Sequence, residues 1–148
     1  MAEGSHLSAA QRELFERARR LGHETYAPLA REGEPGRVNR ALLRALGEEG
    51  LLAHVLPAEG EGSAVELCLL REGLAHGCTE AETALALQGL GGYPILRRAR
   101  PAVRDEWISR LAAGEAVAAF ALSEPDAGSD VAALSLAAEP DGDGFRLT

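Results

Sequence analysis

There is no lysine anywhere in these 148 residues; all fifteen basic side chains are arginines, set against 23 acids for a net charge of −8. A nucleic-acid-binding domain needs a basic face, and none is visible, so nucleic acid is not expected as a partner. Aromatic residues are also few, at 4%. The core must therefore be built from Leu, Ala and Val, which suits closely packed helices. No apolar run approaches the roughly 18 residues that a membrane span requires. The opening residues, 1–6, lack the basic-then-apolar pattern of a secretory leader, which points to a cytoplasmic protein with no membrane association. The two cysteines, Cys68 and Cys78, sit among apolar neighbours and read as small buried hydrophobes; a disulfide is not expected. His6, His23, His54 and His76 show no ligand spacing among themselves or with the cysteines, so no metal is expected. No nucleophile–base signature is present, which leaves little room for a stand-alone hydrolase or transferase.

What is present is apolar residues at helical spacing, 46% of the chain, in a length sufficient for one real core. Ser8 and Gln11 form a capping box ahead of a helix carrying Leu14, Ala18 and Leu21, with Phe15 and Gly22 beside them; it should fade near Pro28. Residues 31–38 read as a loop. Asn39 caps a second helix, with Leu42, Leu43 and Leu46 as its stripe and Gly50 as its stop. Residues 51–56 are a short apolar stretch, and 58–62 an acidic turn. Ser63 and Glu66 form another capping box before a helix that lines up Leu67, Leu70, Leu74 and Cys78. Thr79 and Glu82 form a third. The helix behind them, from Ala81 to about Leu90, is apolar nearly all round and should be the most buried, ended by Gly89, Gly91 and Gly92. Residues 94–98 read as a separate short turn. Pro101 then opens a helix whose inner face is Val103, Trp107, Ile108 and Leu111, with Trp107 as a core anchor and Gly114 as the end.

At Ala116 the texture changes. The apolar run 116–122 reads as a buried strand. A polar loop, SEPDAGSD (123–130), follows it. Residues 131–139 suggest a second strand, and Asp141-Gly142-Asp143-Gly144 a hairpin turn leading to a third. Charge is skewed as well: residues 1–110 hold 14 arginines against 16 acids, whereas 111–148 hold one arginine against seven acids. The fold class is thus mainly α, a helical domain over 1–115 followed by the first strands of a β-domain over 116–148. Two or three strands do not make an independent sheet, so the rest of that β-domain is expected elsewhere.

The segment DEWISRLAAGE (105–115), followed by AAFALSEPDAGSD (118–130), resembles the acyl-CoA dehydrogenase signature, in which a helix ending LPxLAxGE runs into A[FY]xxTEPxAGSD. LLRALGEEGLLAHVLP (42–57) is similar to that family's LAELGLLGVxVPEE, and residues 70–95 lie where its two central helices fall. The hairpin turn 141–144 matches the family's first β-domain turn. The acidic turn 58–62 departs from the family's EEYGG.

The resemblance implies an FAD enzyme that removes two hydrogens from an acyl-CoA or acyl-carrier thioester. It implies that Phe120, Leu122 and Ser123 lie along the isoalloxazine. Backbone N–H groups near Leu122 and Ser123, with the Ser123 hydroxyl, would bond its pyrimidine side. Gly128 and Ser129 would complete the cofactor-binding set; Gly128 would give the loop backbone freedom, Pro125 would hold it rigid, and Ser129 would also meet the thioester. Asp130 would brace the loop; Glu115 and Glu124 would be solvated or structural. Tyr93-Pro94-Ile95 would be packing, in a region that borders the family's acyl pocket. No catalytic residue is assigned, because the family's general-base Glu lies in a C-terminal domain outside this sequence. A second chain, or the remainder of a longer one, would supply that domain and the rest of the β-domain, in an oligomer. The other reading is a non-catalytic helical interaction module that uses strand edges at 116–122 and 145–148.

Overall fold

The computed structural model describes residues 6–58 and 60–148. The expectations for residues 1–5 and for Glu59 of the acidic turn lie outside the described residues. Helix α1 (Ala9–Leu21) begins as its sequence indicates: the Ser8 hydroxyl accepts from the Gln11 N–H, and the Gln11 side chain returns to the Ser8 N–H. The rod does not fade at Pro28. It widens into a π-helical turn over Gly22–Tyr26 and runs on as α2 (Ala27–Arg31). The Ala27 N–H reaches back to the Gly22 carbonyl, so the ladder is already off its ordinary register where Pro28 lacks a donor. Phe15, Ala18, Gly22 and Tyr26 form the inward stripe, with Leu14 and Leu21 half-buried beside it.

Helix α3 (Arg40–Glu48) is capped by Asn39, whose Oδ1 accepts the Leu42 N–H at 3.0 Å while its Nδ2 donates to the Leu29 carbonyl at 3.0 Å. Gly50, at φ +71°, turns the chain into α4 (Leu51–Val55), a helix where only an apolar stretch was expected. Arg17 joins α1 to the end of α3, donating to both the backbone carbonyl of Glu49 (2.7 Å) and its carboxylate (2.8 Å).

Helix α5 (Ala64–Ala75) starts at Ser63, but its box is half-made: Ser63 accepts from the Glu66 N–H, while the Glu66 carboxylate binds His54 Nδ1 at 2.8 Å instead of folding back. Leu69, Leu70, Gly73 and Leu74 make the buried face, so Cys68 falls off that stripe and is exposed; only Cys78 is buried. The cap of α6 (Thr79–Arg98) is Cys78 itself, whose sulfur accepts the Ala81 N–H at 3.4 Å, and not Thr79.

Helix α6 corrects two expectations. It runs unbroken for 20 residues through Gly89, Gly91, Gly92 and Pro94. The glycines are there for close approach: a Cβ on Gly92 would sit 2.7 Å from Leu56 Cδ2, and one on Gly91 2.9 Å from Ala118 Cβ. It is also not wrapped on all sides, since Leu87, Leu90 and Tyr93 stand exposed along one face. Helix α7 (Pro101–Ala112) buries Ile108 and Leu111 but leaves Val103 and Trp107 outward. The Trp107 ring lies under the Arg110 guanidinium at 4.9 Å, a surface pair and not a core anchor.

The core is one apolar cluster shared by α1, α3, α4, α5, α6 and α7, with fully buried Leu42, Leu46, Leu52, Leu70, Leu74 and Leu85 at its centre. Tyr26 is buried inside it, and its hydroxyl has no partner among the described residues; burial pushes its pKa well up, the Glu49 charge adds to this, and Arg17 opposes it.

Beyond α7 the described residues contain two strands, β1 (Ala138–Asp141) and β2 (Gly144–Leu147), paired antiparallel with Ala138 opposite Leu147. Gly142 (φ +63°) and Asp143 make the turn, as the sequence pattern requires. Residues 116–122 are not a buried strand. They carry no regular secondary structure, no neighbouring strand pairs with them among the described residues, and the run is exposed from Ala119 onward. The apolar pattern is that of a buried strand; the partners that would bury it are not in this fold. Residues 131–133 form a short 3-10 turn where strand was expected, and 134–137 are irregular.

Candidate functional site

The site is assembled where α7 ends. Gly114 adopts φ +70°, and the N–H groups of Glu115 and Ala116 both return to the Arg110 carbonyl. The chain then leaves the helical bundle across α6. Ala116 is buried and Val117 and Ala118 are half-buried. From Ala119 to Ser123 the backbone is neither helix nor strand and is exposed, and none of its N–H groups donates a hydrogen bond within the described residues.

SEPDAGSD then forms a tight, self-bonded loop. The Glu124 N–H donates to the Ala127 carbonyl at 2.9 Å, and the Ala127 N–H returns to the Glu124 carbonyl at 3.3 Å, across Pro125 and Asp126. Ala127 is buried and pins the turn. Glu124 is structural: its carboxylate accepts from the Ser135 N–H, the Ser135 hydroxyl and the Leu136 N–H, which together hold its pKa below the ordinary carboxylate value. Asp130 braces the loop as its sequence suggests, accepting the Ala132 N–H at 3.1 Å.

The expected site residues fall on this stretch. Phe120 and Leu122 are exposed apolar side chains on the segment before the loop, and Ser123, Gly128 and Ser129 are exposed on the loop. The Ser123 and Ser129 hydroxyls and the Leu122 and Ser123 N–H groups hold no hydrogen bond within the described residues. The reason expected for Gly128 does not hold: its φ is not positive, and a Cβ there would meet nothing within 4 Å.

Beside Phe120, three residues before the loop, a groove of about 780 Å³ runs between α5 and α6. Val55, Leu67, Leu87, Leu90, Tyr93 and Phe120 give it an apolar lining. Polar groups stand along it: the Arg71–Glu82 ion pair (2.6 Å), Thr83, and His54 with Glu66. Tyr93 and Pro94 line it, whereas Ile95 packs against the core. Sequence reasoning did not find the groove, because its walls are residues 62–71 and 82–94, on separate helices, closed by Phe120 further along the chain. It also passed over Gln88, whose signal was a single amide among the apolar positions of α6.

A flavin can be tested against this donor set. Two adjacent backbone N–H groups and a hydroxyl, all unpaired and next to an apolar wall, match the carbonyl and imide edge of an isoalloxazine ring. For the diphosphate half of FAD the segment that carries these donors offers little: Arg146 is the one basic residue after position 110, and it is paired with Asp141 at 2.9 Å. The fit is to one edge of the ring and no further.

Known proteins resemble the chain over this whole region. The family model described as Acyl-CoA dehydrogenase, N-terminal domain, matches residues 8–115. Glutaryl-CoA dehydrogenase of Desulfococcus multivorans is 32% identical over 111 residues, covering 71% of this chain and 28% of its own length. The mitochondrial short-chain specific acyl-CoA dehydrogenase of Bos taurus is 28% identical over 145 residues, covering 94% of this chain and 32% of its own. The crystal structure of glutaryl-CoA dehydrogenase from Mycobacterium smegmatis superposes with a TM-score of 0.79 at 30% identity, over 97% of this chain and 38% of that one. The chain therefore spans about a third of the length of the curated relatives it matches.

Proposed function

This chain belongs to the acyl-CoA dehydrogenase family, and we propose that it forms the N-terminal helical part of an FAD-dependent enzyme that dehydrogenates an acyl thioester. The helical domain ends near residue 115, and 116–148 opens a β-domain completed by other residues, on a second chain or on a continuation of this one. The observation that carries the reading is the pairing of unfilled donors at Leu122 and Ser123 with the apolar groove that Phe120 lines.

In this reading the groove takes the acyl chain, and its apolar lining excludes water from it. Bound FAD supplies the hydride acceptor. Phe120 and Leu122 give the ring an apolar face to lie on. The N–H groups of Leu122 and Ser123, with the Ser123 hydroxyl, orient it and favour negative charge on its pyrimidine side. Ser129, beside the open space at Gly128, meets the thioester at the mouth. No residue here is proposed as the base. The acidic 111–148 segment leaves the cations for the FAD diphosphate to be supplied from outside it, in this reading by the completing domains, in an assembly of more than one subunit.

Coexpression with a partner carrying the later β-domain and the C-terminal helical domain tests this. A yellow complex with flavin absorbance is the expected product; its absence with every such partner would sink the proposal. A second reading, a non-catalytic interaction module, draws on the hairpin, where Phe145 is 72% and Leu147 66% exposed. Ser123→Ala and Ser129→Ala separate the two. A module keeps its partner and loses nothing, whereas an enzyme part loses flavin retention or turnover.

A further inference from the structure

Gln88 is the one buried amide side chain among the described residues, 2% exposed on the inner face of α6, and unlike the buried Tyr26 hydroxyl it is fully partnered. A carboxamide placed there is tolerated only if its hydrogen-bonding groups find partners. They do. Nε2 donates to the Leu111 carbonyl at 2.9 Å and to the Ala116 carbonyl at 2.8 Å, and Oε1 accepts the Ala118 N–H at 2.9 Å.

The last two bonds have a recognisable pattern. In a parallel sheet, one residue donates to the carbonyl before its opposite number and accepts from the N–H after it. The Gln88 amide does this to the backbone on either side of Val117. It takes the place of a neighbouring strand for a segment that has none. Its third bond, to Leu111, ties the same amide to the end of α7. Leu87 and Leu90, adjacent on α6, line the groove, and Gly91 lets Ala118 and Ala119 lie against the helix.

We propose that Gln88 is a positioning residue of the site: its carboxamide sets the register in which residues 116–118 cross α6, and so turns Phe120 toward the groove. A slip of one residue along α6 would put Ala119 or Ala121 where Phe120 stands. The catalytic meaning of this lock rests on the function proposed above; the lock itself is measurable without flavin.

Amide hydrogen exchange resolved by NMR on the full chain tests it. In the unaltered protein the Ala118 amide, outside any helix or sheet, exchanges more slowly than those of Ala119 to Leu122, by about tenfold for one net hydrogen bond. Gln88→Met keeps the bulk and removes the amide. It is expected to bring Ala118 to the rate of Ala119 and to weaken Overhauser contacts between the Phe120 ring and the groove wall, with α1 and α5 amides unchanged. Gln88→Glu, which burial against two carbonyls keeps protonated, retains the acceptor and one donor, so it keeps Ala118 slow; this variant decides the matter if Gln88→Met loosens the whole bundle. The proposal is overturned if Ala118 exchanges as fast as Ala119 in the unaltered chain, if Gln88→Met leaves Ala118 slow, or if Gln88→Glu frees it while the helices hold. Failure to bind flavin in any complex would remove the functional reading and leave these rates as they are.

Discussion

Glu124 holds Ser135 by two hydrogen bonds at once: one carboxylate oxygen accepts both the Ser135 N–H and its hydroxyl, each at 2.8 Å, while the other oxygen takes the Leu136 N–H at 2.9 Å. This clasp folds the chain after the loop back onto the start of it. The hairpin thereby leaves from a fixed point.

The clasp depends on charge. The backbone N–H of Ser135, then that of Leu136 and the Ser135 hydroxyl, lower the Glu124 pKa from its ordinary value. A group depressed in the folded state contributes fully above its unfolded pKa and loses that contribution as pH falls through the folded one. Acidification below the ordinary carboxylate range should therefore release residues 134–136 while the helices stay folded. Amide shifts of Ser135 and Leu136, followed against pH, should titrate together with Glu124. Glu124→Ala should leave them in their released positions at neutral pH.

The helical core carries the fold's stability. Leu46→Ala removes a fully buried side chain from the centre of the cluster. It should cost about 2–5 kcal/mol, read as a lower urea midpoint at unchanged slope.

Of two glycines, one should be sensitive to an added methyl and the other indifferent to it. A Cβ on Gly47 would sit 2.3 Å from the Ala113 carbonyl carbon and oxygen, backbone atoms that cannot rotate aside. Gly47→Ala should destabilise by about 1–3 kcal/mol or more, seen in thermal melts. Gly128→Ala meets nothing within 4 Å and should stay within about 0.5 kcal/mol of the parent. A loss of flavin or substrate binding in that variant would then report contact with the ligand and not misfolding.

Asn39 joins two helices: it caps α3 through Leu42 and reaches the Leu29 carbonyl at the end of α2. Asn39→Ala should cost about 1–2 kcal/mol, toward the upper end of a cap's worth. Asn39→Ser, which keeps the cap and drops the Leu29 bond, should recover part of it in the same denaturation assay.

By itself, the sequence determined what depends on near neighbours. The caps at Ser8, Asn39 and Ser63, the turn at Gly142 and Asp143, and the Asp130 brace each use residues within a few positions, where side-chain chemistry dictates the local bond. The motif around SEPDAGSD was legible for the same reason, being continuous. Tertiary structure decided what depends on distant partners. Gly91 and Gly92 read as helix stops, because a missing Cβ signals freedom until another segment is seen pressed against it. Residues 116–122 read as a buried strand, because an apolar run does not say whether a sheet is there to receive it. Gln88 was one amide among leucines until α6, α7 and the exit segment met around it, since a buried polar group takes its meaning from the partners that folding brings to it.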